Sequence, residues 1–218
     1  MYRTAALFCV ACAVSYLATG AFFLLDPSAQ YPAGSDAYWQ ELASGPIARK
    51  GFLFAFGFAG LCALAVIPPL RRFLGLDERH LAYWGCTLGL LGYAVTSITY
   101  LRLLGGETKR AEVVASGDAL ASKVIQSFSL SLDTQGWLIF ACVGLFLLLV
   151  NLHGFRSGRL PWLLCALGLV CAALYFTAFA GLLFLRPELT TLAAAAGGVA
   201  IGPVWWLWLG QQLWRAKA

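Results

Sequence analysis

The chain has 218 residues, of which 61% are hydrophobic and 11% charged, against roughly a quarter charged in an ordinary soluble domain. Its helical stretches are apolar all round, which excludes a water-soluble fold with polar outer faces. The net charge of +5 comes from basic residues at the ends of apolar runs, where lipid headgroups stand, and no basic segment interleaved with aromatics points to nucleic acid.

An apolar run of about 20 residues crosses a hydrocarbon core of about 30 Å as a helix. Six such runs cover about 5–25, 50–70, 81–104, 135–153, 160–185 and 190–213. The fold class expected is therefore all-α: a polytopic transmembrane bundle of six helices forming one domain over 1–218, with a further amphipathic helix at the interface.

The first run follows a short Met1-Tyr2-Arg3 head and exceeds the usual 7–15 residues of a signal core, so it reads as a mature helix, with Ala29 marking an alternative cleavage point. Cys9 and Cys12 have redox-motif spacing but no neighbouring base or cation to form a thiolate. All seven cysteines lie within apolar runs, where a thiol is a small packing group. Asp26-Pro27 ends the first span, Pro68-Pro69 closes the second, Gly154 and Gly158 flank the fourth turn, and Arg186-Pro187 follows the fifth span.

The segment 105–134 is too long for a plain connection. Val113, Val114, Leu120, Ala121, Val124, Ile125, Phe128 and Leu132 recur at helical spacing, predicting an outer interfacial helix over about 107–132. A lid over a pocket is the functional alternative.

Small residues mark packing faces, because lipid does not drive helices together and close backbone approach must help. Gly85, Gly89, Gly92 and Thr96 share one face of the third span, Ala194, Gly198 and Gly202 one face of the sixth, and Ala11, Ser15 and Thr19 one face of the first. Pro203 is expected to bend the sixth span. Beyond it, Trp205 and Trp206 lie nearer mid-bilayer than a headgroup anchor, which implies packing into the bundle or against a lipid, cofactor or partner.

Arg3, Arg71, Arg72, Arg79, Arg156, Arg159, Arg215 and Lys217 gather on the side of the N-terminus. Eight of the ten acidic residues fall on the other side. The other side holds Arg49, Lys50, Arg102, Lys109, Arg110, Lys123 and Arg186, four of them in or beside the one long loop, and because short loops carry the most weight the bias predicts a cytoplasmic (inner) membrane protein with both termini in the cytoplasm.

No ionisable group stands near the middle of a span, which counts against proton-coupled transport. The candidate ligand-binding residues are Arg102 and Asp133, expected to pair at the outer ends of the third and fourth spans, with Tyr93, Trp205 and Trp206 deeper in. Thr96, Thr99 and Tyr100 extend a polar crevice beside Tyr93. His80 and His153 fall at the cytoplasmic ends of their helices and are candidate cofactor ligands, as axial ligands to a haem or pigment. No catalytic set and no metal set is evident.

The second span ends in Val66-Ile67-Pro68-Pro69-Leu70-Arg71-Arg72, and Phe155-Arg156-Ser157-Gly158-Arg159-Leu160-Pro161-Trp162-Leu163 joins the fourth to the fifth, which continues with Leu167-Gly168-Leu169. Trp208-Leu209-Gly210 precedes a basic end. In these segments the chain resembles DUF4386, a family of uncharacterised bacterial membrane proteins. Trp205 and Trp206 occupy the region where that family often carries an acidic residue. The resemblance implies a six-span fold and supplies no activity.

Three function classes follow. One is a non-enzymatic accessory or scaffold subunit of a membrane complex, or a lipid-binding component, with membrane lipids, other membrane proteins or copies of itself as partners. The second is a carrier or binder of a hydrophobic small molecule. The third is a haem- or pigment-binding redox protein.

Overall fold

The computed structural model describes residues 1–32, 34–127 and 131–216, and among these it holds eight helices and no strand. Helix α1 (Tyr2–Leu25) ends at Asp26, whose backbone turns extended, and Pro27 opens a single 3-10 turn. Helix α2 (Asp36–Ala43) starts on Ser35, whose hydroxyl oxygen accepts from the Tyr38 amide at 3.2 Å. Then come α3 (Ile47–Phe73), α4 (Leu81–Ala115), α5 (Ala119–Ser127), α6 (Trp137–Arg156), α7 (Trp162–Leu183) and α8 (Pro187–Arg215). Helices α1, α3, α4, α6, α7 and α8 are each long and apolar enough to cross a membrane, which makes the chain a multi-pass integral membrane protein.

The six spans form a closed ring. Each packs against its neighbour in sequence, and α8 returns to α1. Arg3 lies over the Trp214 ring at 5.6 Å, so the beginning of α1 and the end of α8 meet at the same end of the bundle.

Three expectations need correction. The second span does not stop at Pro68-Pro69, because α3 runs through both prolines to Phe73. The missing amide donors cost helix energy, but Val66, Ile67, Leu70 and Leu74 are at most 1% exposed, and that packing holds the backbone in helical form.

The third span does not stop at 104. Helix α4 continues for 35 residues, about 52 Å at about 1.5 Å per residue, and so rises well past a hydrocarbon core. A single interfacial helix over 107–132 is therefore not formed: the chain breaks at Gly117, in the left-handed region at φ 79°, and α5 begins beyond it. Phe128 lies outside the described residues, as does Lys217 at the other end of the chain.

Helix α2 had no signal in the apolar periodicity. In α8, residues Ala195–Ile201 wind as π-helix, and Gly202 and Pro203 open the α-helical part that follows. Trp137–Cys142 at the start of α6 are wound in the same way.

Close approach is built where the glycines of α4 predicted it. A Cβ on Gly89 would meet Phe146 of α6 at 2.7 Å, and one on Gly92 would meet the Leu138 carbonyl oxygen at 2.6 Å. The stripe on α8 is used less: Gly198 has only Tyr16 atoms near 4 Å.

Candidate functional site

Three places gather chemistry: the centre of the ring and its two ends. At the centre, Tyr93 stands with its ring centroid 6.1 Å from those of Phe146 and Trp206, and Trp205 is edge-on to Trp206 at 4.9 Å. Trp205 and Trp206 are 1% and 2% exposed. Both are thus packed into the bundle. The Trp205 indole N–H donates to Asn151 Oδ1 at 3.0 Å, and Asn151 Nδ2 donates to the Leu147 carbonyl at 2.7 Å. Asn151 has room because residue 168 is glycine: a Cβ there would lie 2.1 Å from its amide nitrogen.

Tyr16 of α1 and Tyr175 of α7 stand with Tyr93 around one cavity. Cys171, Gly197 and Trp206 also line it, and it is no larger than about one water molecule. The crevice expected along α4 is mostly closed by its own helix, since Thr96 and Ser97 donate to the Gly92 and Tyr93 carbonyls at 2.9 Å. Thr99 Oγ1 is buried with no hydrogen-bond partner among the described residues.

At the end carrying α2, the expected Arg102–Asp133 pair is not formed. Arg102 is exposed on α4, and Asp133 caps the start of α6, its carboxylate accepting from the amides of Trp137, Leu138 and Ile139 at 3.0, 2.7 and 2.7 Å. The ion pair that ties this end together is Arg49 with Glu107. It is bidentate, Nε to Oε2 at 2.8 Å and Nη2 to Oε1 at 2.6 Å, with side chains only 19% and 12% exposed. Asp26 adds a second carboxylate 3.6 Å from Arg49, and Phe52 lies under the guanidinium at 5.4 Å.

Helix α2 covers this cluster. Burial pushes the Tyr38 phenol above its ordinary value, against the opposing pull of Arg49. Sequence reasoning missed Glu107 as the partner of Arg49. The signal that would have found it is the helical continuation of α4 past 104, which carries Glu107 over the start of α3.

At the opposite end His80 and His153 do meet, with ring centroids 5.0 Å apart and planes at 87°. His80 Nδ1 lies 2.8 Å from Asp77 Oδ1. The Asp77 carboxyl is held below its usual range by the Arg79 amide first and by the His80 ring after it. Arg159 bridges two turns by donating to the Phe73 carbonyl at 2.8 Å, and Arg71 sits 3.6 Å over the Tyr83 ring. Among the described residues no three His, Cys, Asp or Glu side chains converge as a metal set.

No family model, no curated protein and no solved structure matches the chain.

Proposed function

We propose that this protein is a non-enzymatic component of the bacterial cytoplasmic membrane that works by association, as an accessory or scaffold subunit or as a lipid-binding component. The supporting observation is the contrast between the inside and the outside of the ring. Inside, Phe146, Trp205, Trp206 and Leu209 fill the space and leave a cavity of about one water. Outside, Phe54, Phe58, Leu91 and Ile98 stand 39–54% exposed on the spans, faces that lipid or another helix covers. The charged groups of the described residues lie towards the two ends, so no ionisable relay crosses the middle.

In this reading both termini face the cytoplasm. Arg3, Arg71, Arg72, Arg79, Arg156, Arg159 and Arg215 then face the anionic inner leaflet, against only Asp77 and Glu78. The resemblance to DUF4386 agrees with the six spans and adds no activity.

The carrier reading has one observation in its favour, the cavity walled by Tyr93, Trp206 and the hydroxyls of Tyr16 and Tyr175 beside a π-helical segment. π-segments often mark functional sites. Gentle extraction followed by native mass spectrometry separates the two. Phospholipid or a second chain retained at fixed stoichiometry supports association. A stoichiometric small molecule that is not a lipid supports the carrier, and a bare chain under every condition contradicts association.

A further inference from the structure

The chain has two histidines, and the fold brings them together from different helices at one end of the bundle. His80 immediately precedes α4, and His153 lies in the last turn of α6. Both are half-buried at a rim open to water, so an ion could reach them.

The separation of the rings decides what they can hold jointly. With metal–nitrogen bonds of about 2.0–2.1 Å, each ring centroid stands about 3.2 Å from the ion. Two imidazoles trans across one ion would then be about 6.4 Å apart, and two on adjacent corners of a tetrahedron or octahedron about 4.5–5.2 Å apart. The observed 5.0 Å fits adjacent corners and is too short for axial ligation across a haem.

The second partner of the His80 ring fits the same use. A ligating histidine commonly donates its other ring N–H to a carboxylate or a backbone carbonyl, which fixes the tautomer. His80 Nδ1 has the Asp77 carboxylate at 2.8 Å and the Asp77 amide at 3.3 Å. The shorter, charge-assisted contact makes Nδ1 the protonated nitrogen and leaves the Nε2 lone pair free.

We infer that His80 and His153 form a two-histidine site for a borderline divalent transition ion such as Zn2+, Ni2+ or Cu2+, with Asp77 orienting the His80 ring. Imidazole is the ligand type these ions share. No third protein ligand converges among the described residues, so water fills the remaining positions. Arg159 adjoins His153 and opposes a dication, but its guanidinium is turned to the Phe73 carbonyl. The inference is independent of the association reading: the ion could serve a scaffold or a carrier equally.

The test uses the full chain in detergent, purified on a tag that contains no histidine. Zn2+ is titrated against a chromogenic chelator, and Cu2+ is examined by electron paramagnetic resonance. One ion per chain is expected, with two nitrogen ligands in the Cu2+ spectrum. His80→Ala and His153→Ala should each abolish that binding, and Asp77→Asn should weaken it about 10–100-fold. Tryptophan fluorescence confirms that each variant keeps its fold, and His80 is the position of choice because it lies before its helix and not within it. Wild-type protein that binds neither ion overturns the proposal. So does a Cu2+ spectrum with fewer than two nitrogen ligands, or unchanged binding in the double histidine variant.

Discussion

Asn151 sets the terms for the centre of the bundle. A primary amide with 0% exposure inside a membrane protein must find its hydrogen bonds within the fold, because an unmade bond costs about 1–3 kcal/mol. It finds them in Trp205 and Leu147, and Gly168 supplies the space. Gly168→Val should therefore force the amide aside and destabilise the protein by about 1–3 kcal/mol. Asn151→Leu should leave the indole N–H unpartnered at a similar cost of about 1–3 kcal/mol. Unfolding in a mixed-detergent titration reads both changes, and equal stability of either variant to wild type would remove Asn151 as an organising residue. The sequence showed two tryptophans too deep for a headgroup anchor. It did not show their partner, since Asn151 belongs to another helix 54 positions away and no local pattern encodes such a pairing.

At the scale of elements, the spans were legible from composition and their ends were not. Six apolar runs are a strong signal because a bilayer demands about 20 such residues at a time. Proline and the loss of apolar periodicity are weaker marks of a helix end. Tertiary packing carries α3 through Pro68 and Pro69, and α4 continues past 104 with a mixed sequence because α2, α3 and α5 lie against it. That extension places Glu107 on Arg49, and the pair ties the start of α3 to the part of α4 that outlasts the hydrocarbon core. Breaking a largely buried pair by removing one partner costs about 3–5 kcal/mol. Glu107→Gln should accordingly loosen α2, which covers the cluster, and raise hydrogen exchange over Asp36–Ala43 without altering exchange at the α4–α6 contact. Exchange in α2 as slow as in wild type would show that α2 is held by its other contacts.

For the molecule as a whole, the common end of both chain termini follows from an even number of spans, and the ring order from each span packing on the next. The orientation in the membrane rests on the arginines of the turns at Arg71–Arg79 and Arg156–Arg159. A reporter fused after Leu76 should read cytoplasmic, and a periplasmic signal there would invert the assignment of the two ends. The candidate site was only partly legible. The meeting of His80 and His153 was visible from the register of the spans, and packing into the bundle was one of the uses open to Trp205. The Arg102–Asp133 pairing failed because a side chain's direction around a helix depends on where the neighbouring helices stand.

Association through the outer faces is the central claim, and site-specific photo-crosslinking in cells tests it most directly. A photoreactive side chain replaces Phe54 or Phe58, which face outward, and in separate variants Tyr93 or Trp206, which face the centre. The account predicts lipid or protein adducts from the outward positions and only intramolecular adducts from the inward ones. A reproducible small-molecule adduct at Tyr93 or Trp206, with none at Phe54 or Phe58, would contradict it.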